Sequence, residues 1–277
     1  MENNLLFELI IFLVAVLGGT VGSVVGLGGA LVITPLLSTV LGVPLHYTIG
    51  ASLVAIICTS SATSIVSLKS HGFTKEKLGV FLALAAGIGG TLGAKLAISI
   101  KPATLFLIFG GVLVVVAFLS FSKRQTSQQQ FSSKLAEKLQ LNDKFMVDNQ
   151  EIHYNVDKPG LGFLSMLGAG FIGGLLGIGA GAFKVIAMDK IMKIPFKVSA
   201  STSNFIMGIT AFAATSTYYF AGYIDSVITL PVALGTLLGA TVGSKIMPFV
   251  SVKVLRLTFF IIILLAAIQM ISKGLLL

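Results

Sequence analysis

The chain has 277 residues, 55% of them hydrophobic and 10% charged, with a formal net charge of +9. A mean hydropathy of +1.00 excludes a soluble core, and several apolar runs approach the roughly 20 residues that cross a bilayer. These numbers predict an all-α, polytopic integral membrane protein, whose cations at span ends and in one connecting segment fit positive membrane flanks, with no nucleic acid as partner.

The N-terminus, "MENNLLFELIIFLVAVLGG", carries Glu2 and Glu8 where a secretory signal would carry Lys or Arg, so it reads as part of the mature protein. An apolar run then extends from Leu5 to Val43, too long for one ordinary span and too short for two, and "GLGGALVITPLL" (26 to 37) interrupts it. Glycine and proline cost about 1 and 3 kcal/mol in a helix interior. A break in hydrocarbon must be offset by neighbouring protein or a water-lined cavity. Three plain spans follow, at 48 to 67, 78 to 98 and 103 to 121. Residues 122 to 160 are polar, Gln/Ser-rich and of mixed charge, with a short amphipathic helix near Ser132 to Leu141: a linker outside the membrane. A second broken segment starts at 161 and precedes spans at 199 to 220, 227 to 247 and 252 to 271. The expected organisation is a first membrane repeat (1–121), a cytoplasmic polar linker (122–160) and a second membrane repeat (161–277). One cysteine, Cys58, excludes an intrachain disulfide and a thiolate metal site.

The repeat is legible as an offset of 151. "VGSVVGLGGALVITPLL" (21 to 37) is echoed by "IGGLLGIGAGAFKVIAM" (172 to 188), so that Gly22 maps onto Gly173, Gly26 onto Gly177, Gly28 onto Gly179, Pro44 onto Pro195 and Ser52 onto Ser203. Charge predicts how each broken segment runs. If each crosses once, the cations divide almost evenly between the two faces. If each doubles back, one face holds Lys69, Lys75, Lys77, the linker cations (Lys123, Arg124 and Lys158 among them), Lys190, Lys193, Lys197, Lys245, Lys253 and Arg256. The other face then holds Lys95, Lys101 and Lys273, with Lys184 inside the membrane. The positive-inside rule selects the second arrangement, with the linker cytoplasmic and both termini outside. It also makes the halves two inverted-topology repeats, each a broken, re-entrant helical hairpin plus three transmembrane helices. Such interruptions usually meet near the midplane of transporters.

A helix restarting after "GLGG" or "GAG" turns unpaired N–H groups and a positive partial charge into the break, which suits an anion. The expected contributors are Gly28, Gly29 and Ala30 in the first half, and Gly179, Gly181 and Ala182 in the second. Lys184 lies in the first turn of the second restart, where the first half has Ile33. A lysine buried in hydrocarbon is costly and needs an anionic partner, a watery pocket or a neutral form. Snorkelling of Lys184 is the plain alternative. All ten acidic residues lie in loops, the linker or span ends, which argues against a carboxylate-based proton relay or Na⁺ site. The segments "TIGAS" (48 to 52) and "VSASTSN" (198 to 204) add donors: Ser52, Thr202, Ser203 and Asn204 are assigned to the site, and Ser199 and Ser201 equally to capping. "CTSSATS" (58 to 64) and "TAFAATST" (210 to 217) read as close helix packing. His46, His71 and His153 have no ligand spacing, so no metal, cofactor or catalytic residue is expected, and the chain is not an enzyme.

"GLGGALVITP" (26 to 35), "GIGAGAFKVIAM" (177 to 188) and "KVSASTSNFIMGITA" (197 to 211) resemble the TauE/SafE-type sulfite exporter family, also called the toluene-sulfonate uptake permease family. The likeness covers both halves without the linker. It departs at "GGA", where members often show three glycines, and in the length of the linker. The resemblance implies secondary transport of a small anionic substrate such as sulfite, sulfoacetate or another organosulfonate across an inner membrane. The chain would be an exporter working by alternating access, in contact with membrane lipid and open to homo-oligomer formation. An anion channel, or a carrier for a different small oxyanion or carboxylate, is the other reading.

Overall fold

Both interrupted apolar runs fold as helical hairpins. The computed structural model describes residues 2–25, 28–70, 74–121, 133–147, 150–246 and 252–277; Gly26, His71, Lys123 and Arg124 lie outside the described residues. In the first half, α1 (Glu2–Val25) is followed by α2 (Ala30–Pro35), which runs on into a π-helical turn at Leu36–Val40. The two limbs are antiparallel. Gly29 lies on the backbone of Gly18, where an added Cβ would stand 2.7 Å from the carbonyl oxygen, and Ile33 lies over Gly18. Further from the tip, Ile11, Ala15, Ile33, Leu37 and Val43 share one buried apolar cluster.

The second half repeats this with α7 (Pro159–Leu176) and α8 (Gly181–Ile186), again continued by a π turn, Ala187–Ile191. The π turns stand at equivalent repeat positions and close alike. Leu41 N–H donates to Leu36 O (3.2 Å) and Val43 N–H to Leu37 O (3.0 Å), as Met192 N–H does to Ala187 O (3.2 Å) and Ile194 N–H to Met188 O (3.0 Å). Pro35 does not cause the turn. Ile186 stands in its place in the second hairpin.

The remaining long helices are α3 (Leu45–Ser70), α4 (Glu76–Ser99), α5 (Pro102–Phe121), α9 (Phe196–Phe220), α10 (Ser226–Ile246) and α11 (Val252–Leu276). They pack with the halves exchanged: α1 lies along α10, α7 along α4, α3 along α9 and α5 along α11. Glycines make the first two contacts backbone-close. Gly235, Gly239 and Gly243 of α10 sit on α1, and Gly89 and Gly93 of α4 sit on α7, each so near that a Cβ would overlap main-chain atoms. Packing of small residues is what draws helices together in lipid, where apolar surface gives no net drive. Among the described residues, five helices are long and apolar enough to cross a membrane. The chain is an all-α polytopic membrane protein.

The two hairpin turns lie at opposite ends of α4. His46, just after the first turn, reaches Ala97 O near the end of α4 (3.1 Å) and stacks on Tyr223. The second turn joins the linker at the start of α4, where Asp157 N–H donates to Met192 O (3.0 Å) and Lys75 pairs with Asp143 (3.3 Å).

The linker differs from the sequence expectation. Its helix, α6, is only Lys134–Lys138, and a β-hairpin follows, β1 (Asp143–Val147) antiparallel to β2 (Gln150–Tyr154) with Phe145 opposite Ile152. The alternation Phe145, Val147 and Ile152, Tyr154 is a strand period that polar composition obscured. Ala136, Leu141, Tyr154 and Val156 bury against Leu78, Leu82, Met188 and Met192, so the linker is docked rather than trailing. Burial, and then the nearby Asp143 carboxylate, push the Tyr154 phenol above its ordinary range. The Lys144 ammonium, 2.9 Å from Glu151, lowers that carboxyl by hydrogen bond and charge.

Candidate functional site at the hairpin tips

Each tip needs a glycine for its backbone. Gly28 has φ +72° and Gly179 φ +68°, a left-handed conformation that a Cβ disfavours. Both glycines face the same two side chains. A Cβ on Gly28 would stand 3.7 Å from Ile56 and 3.9 Å from Met207; on Gly179 it would stand 3.2 Å from Met207 and 3.3 Å from Ile56. Ile56 (α3) and Met207 (α9) are themselves repeat partners, so the two tips converge on an apolar seal made symmetrically by both halves.

Gly179→Ala is therefore expected to cost more than Gly28→Ala. Both variants meet the left-handed penalty of about 1–2 kcal/mol, but only the methyl group added at Gly179 crowds Met207 and Ile56 closer than ordinary van der Waals distance. Thermal unfolding of the two purified variants, which should rank Gly28→Ala above Gly179→Ala, checks this.

Beyond the second tip, Ala180 (φ +48°) caps α8 and its carbonyl accepts the Lys184 N–H (3.1 Å). That first turn carries Lys184 into the packed interior, fully buried. Its Nζ donates to Thr210 Oγ1 (2.9 Å), which in turn donates to Ile206 O (2.7 Å). Among the described residues no ion pair involves Lys184. Lys184 does not snorkel: its amino end is turned inward onto the Thr210 hydroxyl.

The hydroxyls predicted around the break divide between faces of α9. Ser203 is buried and donates to Gly181 O (3.3 Å), beside Ile206 and Thr210 on the face that meets α8. Asn204 and Met207 face α3 instead. They border a narrow cleft with Gly28, Ser23, Thr59 and Ser60. Its volume of about 10 Å³ is room for roughly one water. Thr202 turns to the start of α4, accepting Lys75 N–H (3.3 Å), and Ser201 reaches Thr74 (2.8 Å). Ser199 donates back to Ile194 O (3.2 Å), a local bond below the helix start. In the first half, Ser52 accepts from Thr34 (2.7 Å) and so ties α3 to α2, as Ser203 ties α9 to α8. Gly29 and Ala30 are buried in the first restart; Gly181 is buried and Ala182 half-buried in the second. The structure thus brings together Gly28 with Asn204, and Lys184 with Gly181 and Ser203. It places Thr202 with neither group.

Sequence reasoning gave the runs that hold Thr59, Ser60 and Thr210 to helix packing, and of these Thr210 is the one that meets Lys184. Thr59 donates to Ile56 O (3.1 Å), and Ser60 Oγ donates to the Asn204 carbonyl across the α3–α9 contact. A signal for Thr59 exists: it is the repeat partner of Thr210, the acceptor of Lys184.

Comparison with known proteins bears on what this arrangement is for. The family model described as sulfite exporter TauE/SafE matches residues 11–270. The chain belongs to the TauE/SafE sulfite exporter family. It is 26% identical over 272 residues to the probable membrane transporter protein YunE of Bacillus subtilis, covering 96% of this chain and 97% of that one. It is 26% identical over 253 residues to YdhB of the same organism, also a probable membrane transporter protein (91% and 96%). A probable membrane transporter protein of Xylella fastidiosa is 26% identical over 266 residues (93% of each). No solved structure matches the chain significantly. As a TauE/SafE member the chain is a membrane transporter and not an enzyme.

Proposed function

We propose that the chain exports small sulfur-containing anions, such as sulfite, sulfoacetate or other organosulfonates, across the inner membrane by alternating access. The observation that carries this reading is Lys184: a buried cation next to a hairpin tip, held by a neutral hydroxyl instead of a carboxylate. A carboxylate partner would neutralise it permanently. Thr210 offers no opposite charge, so an oxyanion that enters beside protonated Lys184 would meet a cation without a counter-charge in a medium that screens it little.

The remaining features support a carrier. Ile56 and Met207 fill the space between the tips with apolar side chains, which movement of either hairpin would uncover. Asn204 supplies amide donors beside Gly28, and the hydroxyls of Thr59 and Ser60 become donors to an anion once they rotate off their carbonyl acceptors. The inverted arrangement of the repeats, with the linker in the cytoplasm and the termini outside, follows from the charge asymmetry; the hairpin turns at opposite ends of α4 support it.

The test is flux of labelled sulfite and sulfoacetate in proteoliposomes. Saturable flux, competed by other sulfonates and by neither acetate nor chloride, is the expected result. Flux without saturation marks a channel, and preference for carboxylates marks a different substrate class; either overturns the proposal.

A further inference from the structure

Away from the tips, the end of the molecule that carries the linker has an open groove of about 510 Å³ between the start of α7 and the second hairpin turn. Lys158, Lys190 and Lys193 line it together with the apolar side chains of Leu161, Leu164 and Ile191. Leu161 and Leu164 belong to the first two turns of a membrane span and are 55% and 64% exposed. The groove therefore sets lysines beside an uncovered apolar wall at the start of a membrane span.

The backbone marks two of these lysines as unusual. Among the described residues, four that are not glycine have positive φ, and Lys158 (+43°) and Lys193 (+58°) are two of them. The repeat shows the unstrained solution for the second: Gly42, with φ +69°, occupies the same position in the first hairpin, and a Cβ there would touch nothing within 4 Å. The turn does not need a lysine for packing. Strain of this kind collects at sites where position serves binding. The N-terminus of α7, an 18-residue helix, adds its positive end beside Lys158.

We infer that this groove binds an anionic phospholipid, its phosphate on Lys158 and Lys193 and an acyl chain along Leu161 and Leu164. Charge complementarity selects the headgroup, and the exposed leucines distinguish a lipid from free phosphate. Basic pockets beside spans on the cytoplasmic side are suited to such headgroups. The bound lipid would brace the turn of the second hairpin, the limb that carries Lys184.

The experiment uses the delipidated full chain in detergent, titrated with phosphatidylglycerol, phosphatidylcholine or inorganic phosphate and read by native mass spectrometry and thermal shift. Phosphatidylglycerol is expected to stay bound and raise the Tm, while phosphatidylcholine and inorganic phosphate do neither. Each lysine removed should weaken binding about fivefold, so Lys158→Gln with Lys193→Gln weakens it about 25-fold. Lys193→Gly, which installs the residue the first hairpin uses, keeps the fold and still weakens binding about fivefold. Lys134→Gln, in the linker, changes nothing. Equal retention of phosphatidylcholine, a full shift with inorganic phosphate alone, or undiminished binding by Lys193→Gly overturns the inference. The readout is binding, so it stands or falls separately from the transport reading.

Discussion

Lys184→Met is expected to abolish anion flux in proteoliposomes while leaving the Tm of the solubilised protein unchanged or higher. The two halves of that result have one cause. A lysine at the centre of a membrane span costs about 2.5–3.5 kcal/mol on insertion scales, and here its compensation is a single hydrogen bond to Thr210. Methionine is nearly as long, flexible and apolar, so it fills the same space without the desolvation cost. Thr210 keeps its bond to Ile206 O, and no opposite charge is stranded. Stability then has nothing to lose. Binding does: a unit charge 4 Å away is worth about 4 kcal/mol at an effective dielectric constant near 20, roughly a thousandfold in affinity. Lys184→Arg retains charge but brings a planar, bulkier fork into a fully buried space, and is expected to recover only part of the flux. A lysine with a merely structural role would give the opposite pattern, a lower Tm with flux retained in the folded fraction. Flux at the level of the unaltered protein in Lys184→Met defeats the site assignment.

The parts of this molecule that could be read in advance are those where chemistry and covalent order coincide. The hairpins were legible because glycine and proline in a long apolar run have few uses other than breaking it, and because the breaks recur at a fixed offset. The inward burial of Lys184 was legible because a lone cation in hydrocarbon needs a reason. The division of "STSN" among three directions was not: adjacent helix positions differ by about 100° around the axis, and only the neighbours decide which face meets α8, α3 or α4. Thr202 accordingly serves the start of α4, although its neighbours Ser203 and Asn204 reach the tips. Thr210 was hidden by the opposite difficulty. A Ser/Thr-rich helix packs closely and offers hydroxyls with the same composition, and only the approach of Lys184 separates those uses. The linker β-hairpin was masked by polar residues on its open face. Its buried side is visible only once Leu78, Leu82 and Met188 supply the other half of the core.

Gly174→Val should destabilise the protein by about 3 kcal/mol, a shift of roughly a hundredfold in the folded-to-unfolded ratio, whereas Gly168→Val on the same helix should be close to neutral. The helix-propensity change is the same at both positions and slightly favours valine, so any difference comes from what each residue faces. A Cβ at Gly168 meets nothing within 4 Å, while at Gly174 it would overlap the carbonyl and Cα of Gly90 on α4. Backbone atoms cannot rotate aside as a side chain does. Gly170 on Ala86, Gly89 on Leu167 and Gly93 on Phe171 hold the same two helices at the same separation, so relief at one point must open them all. Close helix approach in a membrane rests on dispersion and on weak Cα–H···O contacts, each about 0.5–1 kcal/mol. Widening the pair forfeits several together. Since α7 ends at Leu176 and delivers Gly179 to its seat on Ile56 and Met207, a shift of α7 also moves the tip. Flux per folded molecule should therefore fall in Gly174→Val and persist in Gly168→Val. Indistinguishable unfolding of the two variants would mean that α4 and α7 are not held by backbone contact, and that the second hairpin is positioned by other means.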